Sequence, residues 1–148
     1  MFKRLLLATD GSPLSRKAER QAIELAVAIG AELVVLQVAP KLSRTLLNPT
    51  VAAARLDLKD VERFWIEAGD EYVSKVVQKA ERAGASARGL VAVADDVARG
   101  ILATARKQHC DLIVMASHGR KGIQRLLIGS ETQHVLTHGE VPVLVIRA

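Results

Sequence analysis

The chain has 148 residues, one cysteine and a formal net charge of +5, which allows one core of ordinary size and excludes an internal disulfide framework. Its residues are 49% hydrophobic but only 3% aromatic, so an aromatic base-stacking surface is excluded and helices packed on buried aliphatic strands are favoured. Basic residues are interspersed with acids, and no apolar run approaches the roughly 18 residues of a membrane helix, so neither nucleic acid nor a bilayer is the expected partner.

Met1–Leu5 runs straight into a strand pattern without a secretory leader, and the lone Cys110 suits a reducing compartment, so a cytoplasmic protein is expected. Lys3–Thr9 reads as a buried strand. Asp10-Gly11-Ser12-Pro13 then turns into a helix, with Ser12 as N-cap and Pro13 at the first helical position. Ala18, Ala22, Leu25, Ala26 and Ile29 keep helical spacing up to Gly30, and Glu32–Val38 forms the second strand. Ala39–Ala54, with Pro40 and Pro49, reads as a long surface loop onto which Leu46 and Leu47 can fold. Val61, Phe64, Trp65, Ala68, Tyr72, Val76, Ala80 and Ala83 carry a long helix closed by Gly84. Ser86–Val93 is a third strand, Asp95–Gln108 a third helix and Asp111–Ala116 a fourth strand. Gly129–His138 is a short helix and Val141–Ile146 a fifth strand.

This alternation predicts an α/β fold over residues 1–148: one three-layer domain with a mainly parallel five-stranded sheet and helices on both faces. If strands one to three build outward and the fourth returns beside the first, the order is 3-2-1-4-5. Ligands of such sheets sit beyond the carboxyl ends of the strands, where the order reverses. Here that places Thr9-Asp10-Gly11-Ser12 opposite Met115-Ala116-Ser117-His118-Gly119. The second segment continues to Gly129-Ser130, where a helix opens with free N–H groups and a positive dipole end. Arg120, Lys121 and Arg125 against Glu131 leave this stretch at +2 (3 minus 1), which suits a polyphosphate. Neither the G-x-x-x-x-G-K-[ST] loop nor G-x-G-x-x-G is present, and glycines serving plain turns are the simpler alternative.

At these residues the sequence resembles the universal stress protein family, along essentially its whole length. The family signature G-x2-G-x9-G-[ST] is matched by Ala116-Ser-His-Gly119, nine residues, then Gly129-Ser130, with Ala116 in place of the first glycine. The opening Thr9-Asp10-Gly11-Ser12 and the ending Val141-Pro142-Val143-Leu144-Val145 are also similar. The resemblance implies an adenine-nucleotide-alpha-hydrolase-like fold and an ATP site, with ADP or AMP as alternatives and Mg2+ or Mn2+ accompanying the phosphates. It implies Ala8, Thr9 and Asp10 at the end of the first strand, Asp10 beside ribose and phosphates. Val38 would meet adenine, Met115 and Ala116 would line base and ribose, and His118, Gly119 and Arg120 would run beside the phosphates. Gly129, Ser130, Glu131 and Thr132 would hold the phosphates through N–H and hydroxyl groups. Alanine at position 116 costs little in extended backbone and strains the loop at positive φ.

Other residues carry simpler roles. His134 and His138 stand four apart but lack an evident third metal ligand, so no metal residue is assigned. Cys110 lies at the end of the sheet opposite the crevice and reads as a small buried residue, and Asp95-Asp96 as a helix cap. Phe64, Trp65 and Tyr72 read as core or interface. Pro142 favours an edge for the last strand, and its apolar run invites the same strand of a second copy, a homodimer that the resemblance also implies. The function expected is that of a dimeric, ATP-binding regulatory stress protein without assigned catalytic residues. A slow ATPase and a nucleotide-free interaction module stay open. A phosphorylated receiver domain is disfavoured, because the third strand ends Val91-Ala92-Val93-Ala94 without an aspartate.

Overall fold

Short aliphatic runs alternating with amphipathic stretches fold as that pattern directs. In the computed structural model of the chain, residues 1–42, 57–118 and 128–147 are described. Their elements are β1 (Arg4–Ala8), α1 (Pro13–Ile29), β2 (Glu32–Pro40), α2 (Leu58–Arg82), β3 (Ala87–Ala94), α3 (Val97–Lys107), β4 (Leu112–Ala116), α4 (Ser130–His138) and β5 (Val143–Ile146). The sheet runs β3-β2-β1-β4-β5 and every pair is parallel. Because strand side chains alternate, the buried aliphatics divide between two layers. Leu5, Leu7, Leu33, Val35 and Val114 pack under α1 and α2, while Leu6, Val34, Leu36, Ile113 and Met115 pack under α3 and α4. Burial of each such side chain contributes about 1.5–3 kcal/mol.

Local chemistry sets the helix starts. The Ser12 hydroxyl accepts from Ser15 N at 3.2 Å and Pro13 opens α1; the Asp57 and Asp96 carboxylates accept from Lys59 N and Arg99 N at the starts of α2 and α3. At the amino ends of the strands, Glu32 accepts from Arg4 Nε at 2.6 Å and Arg88 Nε at 2.7 Å. Nearby, Asp111 accepts the backbone N–H groups of Lys3 and Arg4 at 2.8 and 3.0 Å.

Three expectations are corrected. β2 continues through Ala39 and Pro40 instead of giving way to loop after Val38. Thr9 N donates to Leu36 O, and Lys41 N to Ala94 O, so odd-numbered groups of β2 face β3 and even-numbered ones face β1. Since the β1–β2 pairing ends at Ala8–Leu36, the N–H that Pro40 lacks would have had no ladder partner. Of the trio read as core or interface, Tyr72 packs against the core, while Phe64 and Trp65, 67% and 37% exposed, are not core and keep only the interface alternative; the inner face of α2 passes through Gly69, Val73, Val76 and Ala80. The last strand begins at Val143, with Val141 and Pro142 ahead of it, although the Pro142 carbonyl still accepts from Ile113 N. Most of the expected loop, residues 43–56 with Leu46, Leu47 and Pro49, lies outside the described residues.

Candidate functional site

Parallel pairing of β1 with β4, in the register Ala8–Met115, sets the two corners side by side. Ala8 and Met115 face the α3–α4 side together with Val38, which packs close above Gly100 of α3. Three of the expected ligand-lining residues are thus neighbours on one small, apolar floor. Thr9, the residue after β1, turns to the opposite face, where its hydroxyl donates to Glu19 at 2.5 Å.

The β1–α1 corner is held largely by its own polar groups. Asp10 Oδ1 accepts from Ser12 N at 2.9 Å and from the Ser15 hydroxyl at 2.6 Å. Gly11 has φ +73° and donates its N–H to Thr9 Oγ1 at 3.3 Å. The turn therefore requires a residue at ease in the left-handed region. Asp10 shapes this corner whatever else it binds.

The second corner is tied to α4. Ala116 lies within β4, buried in extended backbone, so alanine at the first signature position carries no positive-φ strain. Gly129 N donates to Ser117 O at 2.8 Å, and a Cβ on Gly129 would lie only 3.2 Å from that carbonyl. Close approach explains this glycine. The Thr132 hydroxyl, 2% exposed, donates towards the carbonyls of Ala116 and Ser117 at 3.0 and 3.2 Å, so it anchors α4 and is not offered to a ligand. Among the described residues no side chain caps the start of α4, which offers the first-turn amides of Ser130 and Glu131 to an anion. The Ser130 hydroxyl donates to Glu131 Oε2 at 3.0 Å.

His118 follows Ser117 and lies beside the start of α4, where a Cβ on Gly129 would come within 4 Å of its Cα and Cδ2. Its Nδ1 is 3.0 Å from Ser117 Oγ, while its Nε2 is buried with no partner among the described residues. If the Ser117 hydroxyl donates to Nδ1, Nε2 carries the ring proton and is a donor; if Nδ1 donates to Ser117 Oγ, Nε2 is an acceptor. Gly119, Arg120, Lys121 and Arg125 lie outside the described residues.

The remaining candidates fall elsewhere. A recess of about 230 Å³ along β3, lined by Asp70, Val73, Ser74, Val77, Gln78 and Gly89, offers one acid and no cation, the wrong sign for a phosphate. Cys110 is buried at the far end of β4, where burial above all pushes its thiol up to about 11, away from nucleophilic use. His134 and His138 stack with centroids 4.2 Å apart, and the described residues contain no cluster of three metal-ligating side chains. Among them, no helix is long and apolar enough to cross a membrane. Sequence reading overlooked Glu19 and Ser15, both buried polar residues. Their signal is position: Ser15, Ala18, Glu19, Ala22 and Ala26 form one buried helical stripe, on which an acid needs a partner.

The family model described as the Universal stress protein family matches residues 1–147. The chain belongs to the universal stress protein family. A family member from Methanocaldococcus jannaschii is 29% identical over 153 residues, spanning 99% of this chain and 83% of that protein. One from Thermus aquaticus is 30% identical, over 99% of this chain and 100% of its own length. Among solved structures, UspA from Lactobacillus plantarum has TM-score 0.83 at 21% identity, covering 98% of this chain and 97% of the other, a likeness of fold. A universal stress protein in complex with cAMP aligns at TM-score 0.70 and 23% identity, over 99% of this chain and 97% of its own. One from Archaeoglobus fulgidus in complex with dAMP aligns at TM-score 0.67 and 21% identity, over 99% and 98%.

Proposed function

We propose that residues 1–148 form one cytoplasmic nucleotide-binding domain that takes ATP between the β1–α1 and β4–α4 corners and acts as a homodimer, its nucleotide state setting partner binding. The observation that carries this reading is the docking of the α4 start, which has no side-chain cap among the described residues, onto the end of β4. Gly129 N–Ser117 O and Thr132 fix it beside the Asp10 corner.

The residues fit an adenine nucleotide. Ala8, Val38 and Met115 supply an apolar floor for a base, and the amides of Ser130 and Glu131 supply donors for phosphate oxygens. The buried Nε2 of His118, without a partner among the described residues, is a further group for a phosphate oxygen when it carries the ring proton. Gly119 and Arg120, adjoining in the sequence, complete the proposed phosphate contacts. Mg2+ or Mn2+ would arrive on the phosphates, keeping most of its waters, with Asp10 nearest to it. The relatives seen with cAMP and dAMP support the ligand class.

Calorimetric titration tests the reading. ATP with Mg2+ should occupy one site per chain and bind more tightly than AMP, because only the longer phosphate tail reaches the α4 terminus. Absence of binding by ATP, ADP and AMP alike overturns the site. AMP binding as tightly as ATP removes α4 from it.

A further inference from the structure

Glu19 is an acid on the inward face of α1, 3% exposed, and two hydroxyls meet one of its oxygens. Thr9 Oγ1, from the end of β1, donates to Glu19 Oε1 at 2.5 Å. The Tyr72 hydroxyl, from α2, donates to the same oxygen at 2.7 Å. Thr9 Oγ1 in turn accepts the N–H of Gly11 at 3.3 Å. The result is a chain of hydrogen bonds running from the Gly11 amide through Thr9 to Glu19, closed by Tyr72 from a different helix.

The ring of Tyr72 also lies directly beneath the turn. A Cβ on Gly11 would sit 3.2 Å from Tyr72 Cζ and 3.3 Å from Cε2. The hydrogen bonds within the turn are local: Asp10 N donates to Ser15 Oγ at 3.4 Å, and Asp10 Oδ1 accepts from Ser12 N and the Ser15 hydroxyl. Local groups define the shape of this turn. Tyr72 ties it to the body of the fold.

We propose that Tyr72, acting through Glu19 and Thr9, is a positioning residue that holds the β1–α1 corner in its ligand-receiving geometry. The proposal rests on the nucleotide reading above for its functional consequence, but its structural half stands apart from any ligand. A carboxylate in so dry a place needs its donors, because an unsatisfied buried acceptor costs more than the bond itself contributes. When the Tyr72 hydroxyl is removed, Glu19 loses one of its two donors and must shift or admit water, and the Thr9 hydroxyl bonded to it shifts too, which loosens the seat of the Gly11 N–H. If Tyr72 merely packed α2 against α1, its loss would lower stability and leave the corner unmoved.

The chain has one tyrosine, so tyrosinate absorbance reports Tyr72 alone. Burial first, then the Glu19 hydrogen bond and charge, push its hydroxyl up to about 12. The test compares wild type with Tyr72→Phe, which keeps the ring under Gly11, and Glu19→Gln, which keeps an acceptor for both hydroxyls but removes the charge. Hydrogen exchange is read at the Gly11 and Ser12 amides, with Val34 and Val35 of β2 as internal references, alongside ATP titration in the presence of Mg2+. Tyr72→Phe should exchange roughly three- to tenfold faster at Gly11 and Ser12 only, and weaken ATP by a like factor, the range that one lost hydrogen bond allows. Glu19→Gln should move the tyrosinate transition to lower pH, because the charge facing the Tyr72 hydroxyl is gone, and an unmoved transition would break the link between Tyr72 and Glu19. Wild-type exchange at Gly11 and Ser12 in Tyr72→Phe overturns the proposal, as does unchanged ATP affinity in that variant where wild type binds. If wild type binds no ATP, the nucleotide reading falls and exchange alone decides whether Tyr72 positions the corner.

Discussion

Gly129 shows how one absent side chain shapes the site. Its φ of −62° is open to any residue, so backbone freedom does not explain it. The explanation is the Ser117 carbonyl, which a Cβ would approach to 3.2 Å. Gly129→Ala must therefore push the start of α4 away by a few tenths of an ångström, lengthening the Gly129 N–Ser117 O bond. Alanine is also a poorer N-cap than glycine. The expected outcome is a loss of about 1 kcal/mol in stability and an ATP affinity several-fold weaker, read by thermal unfolding and calorimetry. A stable variant with full affinity would show that the α4 terminus is not the phosphate seat. Position 116 is the instructive contrast. It is the last residue of β4, where alanine is at ease, so the departure from the family signature leaves the backbone undisturbed.

The elements were largely legible because each carries its own period and punctuation. Ser12-Pro13 starts a helix, Asp96 caps another, and the strands are continuous aliphatic runs. What was not legible depends on partners distant in sequence. Pro40 looks like a breaker until β1 is seen to stop short of it, and Glu19 looks like a surface acid until Tyr72 arrives from α2. The same long-range logic governs the amino ends of the strands. Burial raises the Asp111 carboxyl pKa, but the N–H groups of Lys3 and Arg4 outweigh it, and the group ends below its ordinary value. Glu32 is also lowered, first by the hydrogen bond from Arg88, then against burial by Arg4. A depressed carboxyl pKa adds stability above the unfolded value of about 4, and that stability is lost as pH falls through the lower folded value. Asp111→Asn should thus melt below wild type at pH 7, with the gap narrowing at acidic pH below about 4. A gap that stays constant from neutral to strongly acidic pH would mean that the charge of Asp111 contributes nothing to the tie between β1 and β4.

At the scale of the whole molecule, the two sheet edges are unlike. β3 presents Arg88 and the exposed Gly89, while β5 presents Leu144, 38% exposed, and two half-buried valines. Ser117 N donates to Ile146 O and Ile113 N to Pro142 O, so the even-numbered backbone groups of β5 face β4. Those of Val143 and Val145 consequently point outward. An apolar strand with two outward rungs is a template for another strand, and pairing with its own copy about a two-fold axis satisfies both chains equally. This follows from the proposed homodimer, and it singles out a substitution. Val145→Pro deletes an outward donor while sparing every rung to β4, so it should yield a folded monomer that still binds ATP. Sedimentation should show the wild type as a dimer and Val145→Pro at half its mass. A variant that remains dimeric would move the interface off β5, whereas a wild type monomeric at every concentration tested would remove the homodimer from the proposal and leave the nucleotide corner to act within one chain.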